Sequence, residues 1–464
     1  MPDRFAAADA PALPIHAVPR TAVAAALGAL PVSARAYAEA SGFDGSAGQL
    51  TLLPGADGHL VGALLGLGAA DDALATAALA TKLPVGTWRY ATPPPGVDGT
   101  TLAFAWLLGR YRFDRYKTDR EEKPAPRLAL PAGADATLAA RLADAVAYVR
   151  DLVNTPANAL GPAELAAAAR DLAAAHGASL HEIVGDDLLA ENFPMVHAVG
   201  RASARVPRLV DLVWGDPAHP KVTLVGKGVC FDSGGLNIKT GDGMTLMKKD
   251  MGGAAHALGL ARLVMESALP VRLRVIVPAV ENAVGGDAFR PGDVLPSRKG
   301  LTVEISNTDA EGRLVLGDAL ALADAEAPDL LVDFATLTGA ARVALGPQVG
   351  PFYTDDEALA ADLADASRAT HDPLWRMPLW PGYRGYLDSK VADVNHLSSV
   401  GLGGSITAAL FLQRFVTESP RWVHFDVWAW NRDDRPGRPI GGEANGLRAM
   451  FEVLRRRYGD QYAG

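Results

Sequence analysis

Cysteine is almost absent from this chain, since Cys230 is the only one among 464 residues. A single cysteine excludes a disulfide framework within the chain and suits a reducing compartment, so we expect a cytoplasmic protein. No histidine lies next to Cys230 in the sequence. We therefore interpret Cys230 as a buried structural thiol rather than a catalytic nucleophile.

Several common catalytic motifs are also missing. The chain has no Gly-x-Ser-x-Gly segment, and none of its 10 histidines forms a His-Glu-x-x-His pair. These absences argue against a serine hydrolase and against a zinc protease with histidine ligands. Gly226-Lys227-Gly228 lacks both the upstream glycine and the following hydroxyl residue of a phosphate-binding loop.

Long apolar runs and an excess of positive charge are absent as well. No uncharged apolar stretch reaches the roughly 18 residues that a membrane-spanning helix needs, so we expect no membrane partner. Lysine and arginine number 44 against 53 acidic residues, which makes nucleic acid an unlikely partner. The apolar run 21–30 predicts part of a folded domain rather than a leader, because the run is short, Asp3 and Asp9 lie where a leader carries positive charge, and prolines interrupt the residues before the run.

What the chain does contain is a polar octapeptide between a strand-like run and an apolar helical pattern. Asn307-Thr308-Asp309-Ala310-Glu311-Gly312-Arg313-Leu314 follows the run Leu301–Ile305. On extended backbone, Asp309 and Glu311 point to the same side. Two carboxylates that face one way normally imply a metal ion, a shared proton or a cationic partner. For the octapeptide alone, a polar turn in which Asp309 caps a helix is an equally good interpretation.

A second segment adds two further acids. The strand-like run Lys221–Val229 leads into Phe231-Asp232-Ser233-Gly234-Gly235, and Lys249-Asp250-Met251 opens an alanine-rich helix. Together with Asp309 and Glu311, these acids would roughly neutralise two divalent cations, and oxygen-rich sites suit such ions. Near dications the Lys227 amine is able to lose its proton and become a ligand.

The order of apolar runs indicates the fold class. After a polar break at 154–158, the short apolar runs 209–213, 271–280 and 330–334 alternate with helical patterns. This alternation predicts an α/β protein with a mostly parallel sheet flanked by helices. We predict a smaller N-terminal α/β domain, residues 1–150, and a larger C-terminal catalytic domain, residues 151–464, that contains this central sheet.

These motifs resemble those of the leucyl aminopeptidases, the M17 cytosol aminopeptidases. The resemblance covers roughly residues 150–450 and rests on the octapeptide and the Lys/Asp segments. Supporting segments are Arg290-Pro291-Gly292-Asp293, Ala335-Thr336-Leu337-Thr338-Gly339-Ala340 and Gly404-Ser405-Ile406-Thr407-Ala408-Ala409. The resemblance implies a metal-dependent aminopeptidase. Such an enzyme releases single N-terminal residues, preferably leucine-like, from peptides or amino-acid amides by means of a metal-bridged water or hydroxide.

The family's site residues carry over by motif. The implied metal ligands are Lys227, Asp232, Asp250, Asp309 and Glu311, of which Asp232 and Glu311 would bridge both ions. Lys239 is implied to polarise the scissile carbonyl, and Arg313 with the Leu337 backbone to hold a bicarbonate ion that acts as general base. The implied substrate pocket contains Met247, Asn307, Thr336 and Gly339. For Met247, simple packing is at least as good an interpretation.

The resemblance also implies cofactors and an assembly. These are two divalent metal ions per chain (Zn²⁺, with Mn²⁺ acceptable in the exchangeable site), bicarbonate and a homohexamer. Trp428 stands where many members carry a small residue, so the residue preference stays open, and the loop 431–442 has no assigned role. The alternatives are a regulatory or DNA-binding role beside or instead of peptidase activity, which the acidic charge disfavours, and a noncatalytic member, which the complete ligand set disfavours.

Overall fold

The computed structural model describes residues 4–119 and 124–459. The chain divides into two compact units, Met1–Ala147 with Asp433–Ile440, and Tyr148–Arg432 with Gly441–Gly464. Among the helices of the described residues, none combines the length and the apolar content needed to cross a membrane.

The first unit is built around a five-stranded sheet. Its strands are β1 (Leu13–Val18), β2 (Leu50–Pro54), β3 (Leu60–Gly66), β4 (Thr87–Thr92) and β5 (Arg127–Leu128), in the order β2-β3-β1-β4-β5. Only the β2–β3 pair is antiparallel. The helices are α1 (Val23–Gly28), α2 (Val32–Ala40), α3 (Leu79–Lys82) and α4 (Gly99–Gly109), and α5 (Ala136–Asn154) contains the junction of the two units. The strands bury Ile15, Leu64 and Trp88, and α4 buries Trp106.

The segment Asp433–Ile440 belongs to this first unit although it comes late in the chain. Arg435 and Arg438 form a tight turn in which each backbone N–H donates to the other's carbonyl, and Arg438 pairs with Asp72. Gly437 lies so close to α4 that an added Cβ would stand 3.3 Å from the Leu108 Cβ. The loop 431–442, which had no assigned role, thus contributes most of its length to the first unit.

The second unit contains a nine-stranded sheet. Its strands are β6 (Ser179–Val184), β7 (Arg208–Trp214), β8 (Lys221–Gly226), β9 (Gly228–Asp232), β10 (Arg272–Asn282), β13 (Leu330–Ala335), β14 (Gly350–Tyr353), β15 (Leu374–Arg376) and β17 (Trp422–Asp426). The order is β15-β14-β17-β13-β8-β10-β7-β6, with β9 paired to β10. One short sheet consists of β11 (Val294–Pro296), β12 (Thr302–Glu304) and β16 (Val394–Asn395). Another pairs β18 (Trp430–Asn431) with β19 (Gly441–Gly442).

The remaining helices pack on the sheet of the second unit. They are α6 (Pro162–His176), α7 (Asp187–Ala190), α8 (Pro194–Gly200), α9 (Gly252–Glu266), α10 (Gly312–Asp324), α11 (Gly339–Leu345), α12 (Glu357–Ala369), α13 (Gly404–Gln413) and α14 (Leu447–Leu454). α9 and α10 are buried over almost their whole length. The predicted fold class is therefore confirmed, namely a small N-terminal unit and a larger unit with a mostly parallel sheet flanked by helices.

Parallel pairing brings several strand ends to one edge of this sheet. β8 runs parallel to β10 and β13, and β13 runs parallel to β17. Their carboxyl ends therefore lie side by side, as is usual for binding sites in α/β proteins. The single strand predicted over Lys221–Val229 is wrong, because it breaks at Lys227, whose carbonyl accepts from Ala254 N–H of α9 rather than from a strand. Cys230 is 1% exposed, in agreement with a structural thiol.

Candidate active site

Lys227 lies at the break between β8 and β9, with its amine among carboxylates. Its Nζ is 2.7 Å from Asp250 Oδ2 and 3.0 Å from Glu311 Oε1, and it donates to the Thr336 carbonyl at 3.0 Å. The side chain of Lys227 has space because residue 312 is glycine. An added Cβ at Gly312 would stand 2.5 Å from Lys227 Cε. The octapeptide and the Lys227 segment therefore meet at this point.

Lys239 occupies the other side of the same cluster. Its Nζ is 2.8 Å from Asp232 Oδ2 and also pairs with Asp309. The opposite oxygen of Asp232, Oδ1, accepts from Gly234 N–H at 2.9 Å and from Asn282 Nδ2 at 2.8 Å. Ligand atoms of Asp232, Asp309 and Glu311 all lie within 4.8 Å of one another. The structure thus brings together every residue that the sequence suggested as a metal ligand.

The octapeptide reaches this geometry by a different backbone from the one predicted. Residues 308–310 form a single 3₁₀ turn, and Glu311 has φ −70° and ψ −32°, so the expected extended conformation is wrong. The cap is Asn307, whose side chain accepts from Asp309 N–H at 2.8 Å. The 3₁₀ turn and the first residues of α10 bring the side chains of Asp309 and Glu311 to the same place. From the sequence, extended backbone was expected to do this.

Two of the residues expected at the substrate pocket, Met247 and Thr336, lie beside Asp250. Met247 begins the short 3₁₀ helix Met247–Met251 that carries Asp250, and Met247 is half-buried. Thr336 Oγ1 donates to Asp250 Oδ1 at 2.7 Å. Gly339 is exposed at the start of α11, and nothing would lie within 4 Å of an added Cβ there. Trp428 follows β17 and is half-buried.

The cluster carries more negative than positive charge. Four carboxylates face two ammonium groups in a largely buried space. Burial raises the pKa of Glu311 and Asp232, and the neighbouring carboxylates raise it further. Burial lowers the pKa of Lys227, but Asp250, Glu311 and Asp232 more than offset this, so its pKa is raised overall. Added positive charge would relieve the repulsion between the acids.

Arg313 lies beside this cluster and is 5% exposed. Its Nη1 donates to the His396 carbonyl at 2.8 Å, whereas its buried Nε has no acceptor among the described residues. Burial lowers the pKa of Arg313 to about 10, so the side chain remains charged near neutral pH. The Leu337 N–H donates to Asp426 Oδ1 at 3.1 Å, so any anion held there shares this N–H with a carboxylate.

Sequence reasoning missed two residues that support the ligands. Asn282 Nδ2 donates to Asp232 Oδ1 and, at 3.0 Å, to the Thr308 carbonyl, so it links the two acidic segments. His396 Nε2 lies 2.8 Å from the Asn307 carbonyl oxygen, so the His396 side chain contacts the first residue of the octapeptide. Asn282 ends β10 and lies just beyond the apolar run 271–280 that the sequence predicted, and that position was the available signal. The sequence contains no local signal for His396.

Comparisons with known proteins show the family of the chain. A model of the cytosol aminopeptidase family, catalytic domain, matches residues 147–451, and a model of the M17 aminopeptidase N-terminal domain matches residues 13–131. The chain belongs to the cytosol aminopeptidase family. A member of this family is a hydrolase that acts as an aminopeptidase on peptide substrates. The alternative of a regulatory or DNA-binding role receives no support from these matches.

Individual relatives and solved structures are similar over most of the chain. A probable cytosol aminopeptidase from Geobacter sp. (strain M21) is 41% identical over 417 residues, which cover 87% of this chain and 82% of the relative. The crystal structure of the cytosol aminopeptidase from Coxiella burnetii has a TM-score of 0.92 at 47% identity, covering 97% and 98% of the two chains. The bottromycin maturation enzyme BotP in complex with Mn has a TM-score of 0.84 at 35% identity, covering 96% and 99%.

Proposed function

We propose that this cytosol aminopeptidase depends on two divalent metal ions and removes single N-terminal residues from peptides. The observation that carries the proposal is the meeting of Lys227 with four carboxylates at one edge of the sheet. Lys227 and Asp250 would hold one ion and Asp309 the other, with Asp232 and Glu311 shared between them. Oxygen ligands with one amine suit Zn²⁺ and also Mn²⁺, and the complex of BotP with Mn supports the second choice.

The chemistry of the donor atoms fits this proposal. Asp250 Oδ2 and Glu311 Oε1 share the single ammonium group of Lys227, and Asp232 Oδ2 and Asp309 Oδ1 share that of Lys239. Four carboxylates thus face only two ammonium groups, and buried charge that is not fully balanced is costly. The converging oxygens with this excess negative charge favour binding of cations.

The remaining residues would orient the substrate and handle charge. The bound ions would supply Lewis-acid polarisation of the amide and activation of water. Lys239, with an ammonium group whose pKa burial lowers but Asp232 raises overall, would stabilise negative charge on the carbonyl oxygen. Arg313, through its free Nε, would hold a bicarbonate ion near the attacking water, helped by the Leu337 backbone.

We further propose a leucine-like preference and a homohexamer, both of which rest on the family. Met247, Asn307, Thr336 and Gly339 would line the pocket for the departing residue. Trp428 follows β17. Replacing Trp428 with alanine, and comparing the turnover of substrates with bulky and with small N-terminal residues, would test whether Trp428 affects this preference. Light scattering of the purified protein would test the hexamer.

Replacing Glu311 with glutamine tests the metal proposal. The change keeps the size of the side chain but removes a charge that both ions would share, so turnover should be abolished and metal content should fall with the fold retained. Glu304→Gln, in the nearby strand β12, is the matched control and should keep both. If Glu311→Gln hydrolyses the substrate at the wild-type rate, and a chelator stops this hydrolysis, the role of Glu311 as a shared metal ligand is contradicted.

A further inference from the structure

Asp426 is a buried carboxylate next to the site that has no role in the metal proposal. It ends β17 and is 1% exposed. In the parallel pairing of β13 and β17, Asp426 lies opposite Ala335, the last residue of β13. The three residues Thr336–Thr338 then connect β13 to α11. The carboxylate of Asp426 therefore lies next to the residues of this connection.

The Asp426 carboxylate binds the Thr336–Thr338 connection at three points. Oδ1 accepts from Leu337 N–H at 3.1 Å and from Thr338 N–H at 3.2 Å, and Oδ2 accepts from Thr338 Oγ1 at 2.5 Å. Thr338 Oγ1 in turn accepts from Ala341 N–H in the first turn of α11. Arg342 of α11 lies 3.2 Å from Oδ1 and balances the charge. The part of this connection that leads into α11, Leu337 and Thr338, is thus held by the Asp426 carboxylate.

The same connection contacts two proposed metal ligands. Thr336 Oγ1 donates to Asp250 Oδ1 at 2.7 Å, and the Thr336 carbonyl accepts from Lys227 Nζ at 3.0 Å. Asp426 itself pairs with neither of these ligands in the described structure. The hydrogen-bonded route from Asp426 to these two ligands runs through the backbone of Leu337 into Thr336.

We propose that Asp426 is a positioning residue for the aminopeptidase reaction. It fixes the Thr336–Thr338 connection, and through Thr336 it fixes the orientation of Asp250 and Lys227. This inference rests on the proposed metal-dependent function. Hydrogen bonds to a carboxylate are stronger than neutral ones, so replacing the charge with an amide would loosen the connection without changing its length.

Asp426→Asn and Asp372→Asn form a matched pair for the test. Asp372 is also a buried carboxylate, and it accepts from Gly446 N–H at 2.9 Å and Arg448 N–H at 2.9 Å and lies near the Arg448 guanidinium, away from the proposed ligands. Each metal-loaded protein would be assayed for kcat and KM on leucine p-nitroanilide, for its unfolding temperature and for the rate at which a chelator removes its metal.

Asp426→Asn should lower kcat by about tenfold to a hundredfold, since misplacement of a catalytic group by roughly 1 Å has effects of this size. KM should change far less, and the chelator should remove the metal faster. Asp372→Asn should lower only the unfolding temperature. If Asp426→Asn keeps wild-type kcat and metal retention while wild type is active, Asp426 has a structural role alone and the inference is overturned.

Thr336→Val separates the proposed route from a general loosening. Thr336→Val removes the hydroxyl contact to Asp250 but keeps the carbonyl contact to Lys227, so in this background Asp426→Asn should have a smaller further effect on kcat. Fully additive effects would contradict coupling through the Thr336 hydroxyl. Should Asp426→Asn fail to fold, Thr338→Val removes one of the same hydrogen bonds. It should give a smaller loss of kcat, and an unchanged kcat would overturn the inference. A wild-type protein with neither metal nor turnover would instead refute the proposed function, and the inference with it.

Discussion

Replacing Gly312 with alanine tests the position of Lys227, because the added methyl group would occupy space that the lysine uses. The new Cβ would stand 2.5 Å from Lys227 Cε and 2.6 Å from Nζ. Carbon atoms in contact prefer separations of about 3.5–4.0 Å, so the end of the Lys227 side chain must move by roughly 1 Å. Lys227 is 3% exposed and is held by Thr336, Asp250 and Glu311, so such a movement disturbs all three contacts.

Activity should fall strongly while the protein remains folded. Overpacking of this kind costs about 1–3 kcal/mol, and alanine in a helix offsets up to about 1 kcal/mol relative to glycine. The free energy of unfolding should thus fall by about 3 kcal/mol at most. Turnover should fall by about a hundredfold, as is typical of a displacement of roughly 1 Å at a reacting site.

Gly404→Ala is the control for this prediction. Gly404 is also the first residue of a helix, and its added Cβ would have Ala340 Cβ as nearest atom at 3.4 Å, an ordinary contact. Turnover of leucine p-nitroanilide, metal content per chain and thermal unfolding would be measured for both variants. Wild-type turnover and metal content in Gly312→Ala would refute the reasoning that Lys227 is a tightly placed ligand.

Two further predictions concern Arg313 and His396. Arg313→Ala should lower turnover far more than metal content, because Arg313 is expected to hold an anion rather than a metal; parallel loss of both quantities would contradict this role. Burial lowers the pKa of His396 to about 4, so at this residue the unfolded chain gains a proton first, and the contribution of His396 to the stability of the folded protein should be lost as pH falls from about 6.5 to 4. The unfolding temperature of His396→Asn should depend less on pH across this range than that of wild type. Parallel curves for the two proteins would contradict the lowered pKa of His396.

The sequence predicted that the acids cluster, but it did not predict the backbone that brings them together. Residue types and spacing at 307–314 indicated clustered acids, but a pair spaced i and i+2 does not distinguish an extended strand from a 3₁₀ turn. The cap at Asn307 decides this through a hydrogen bond to Asp309 N–H. Apolar runs predicted the parallel sheet because burial of both faces leaves a clear hydrophobic signal.

Contacts between distant segments were beyond the sequence. His396 braces Asn307 across 89 residues, and Asp426 binds Thr338 across 88. Neither residue belongs to a local motif, so only the folded sheet brings them to the site. The same holds for Asp433–Ile440, whose arginine and proline content gave no indication that it belongs to the first unit.

The central claim is metal-dependent release of an unblocked N-terminal residue. The most direct test is hydrolysis of leucine p-nitroanilide before chelation, after chelation and after adding back Zn²⁺ or Mn²⁺, with N-acetyl-leucine p-nitroanilide as the blocked control. Activity that disappears on chelation, returns with metal and never appears on the blocked substrate is the predicted result. Undiminished hydrolysis after complete metal removal would contradict the claim.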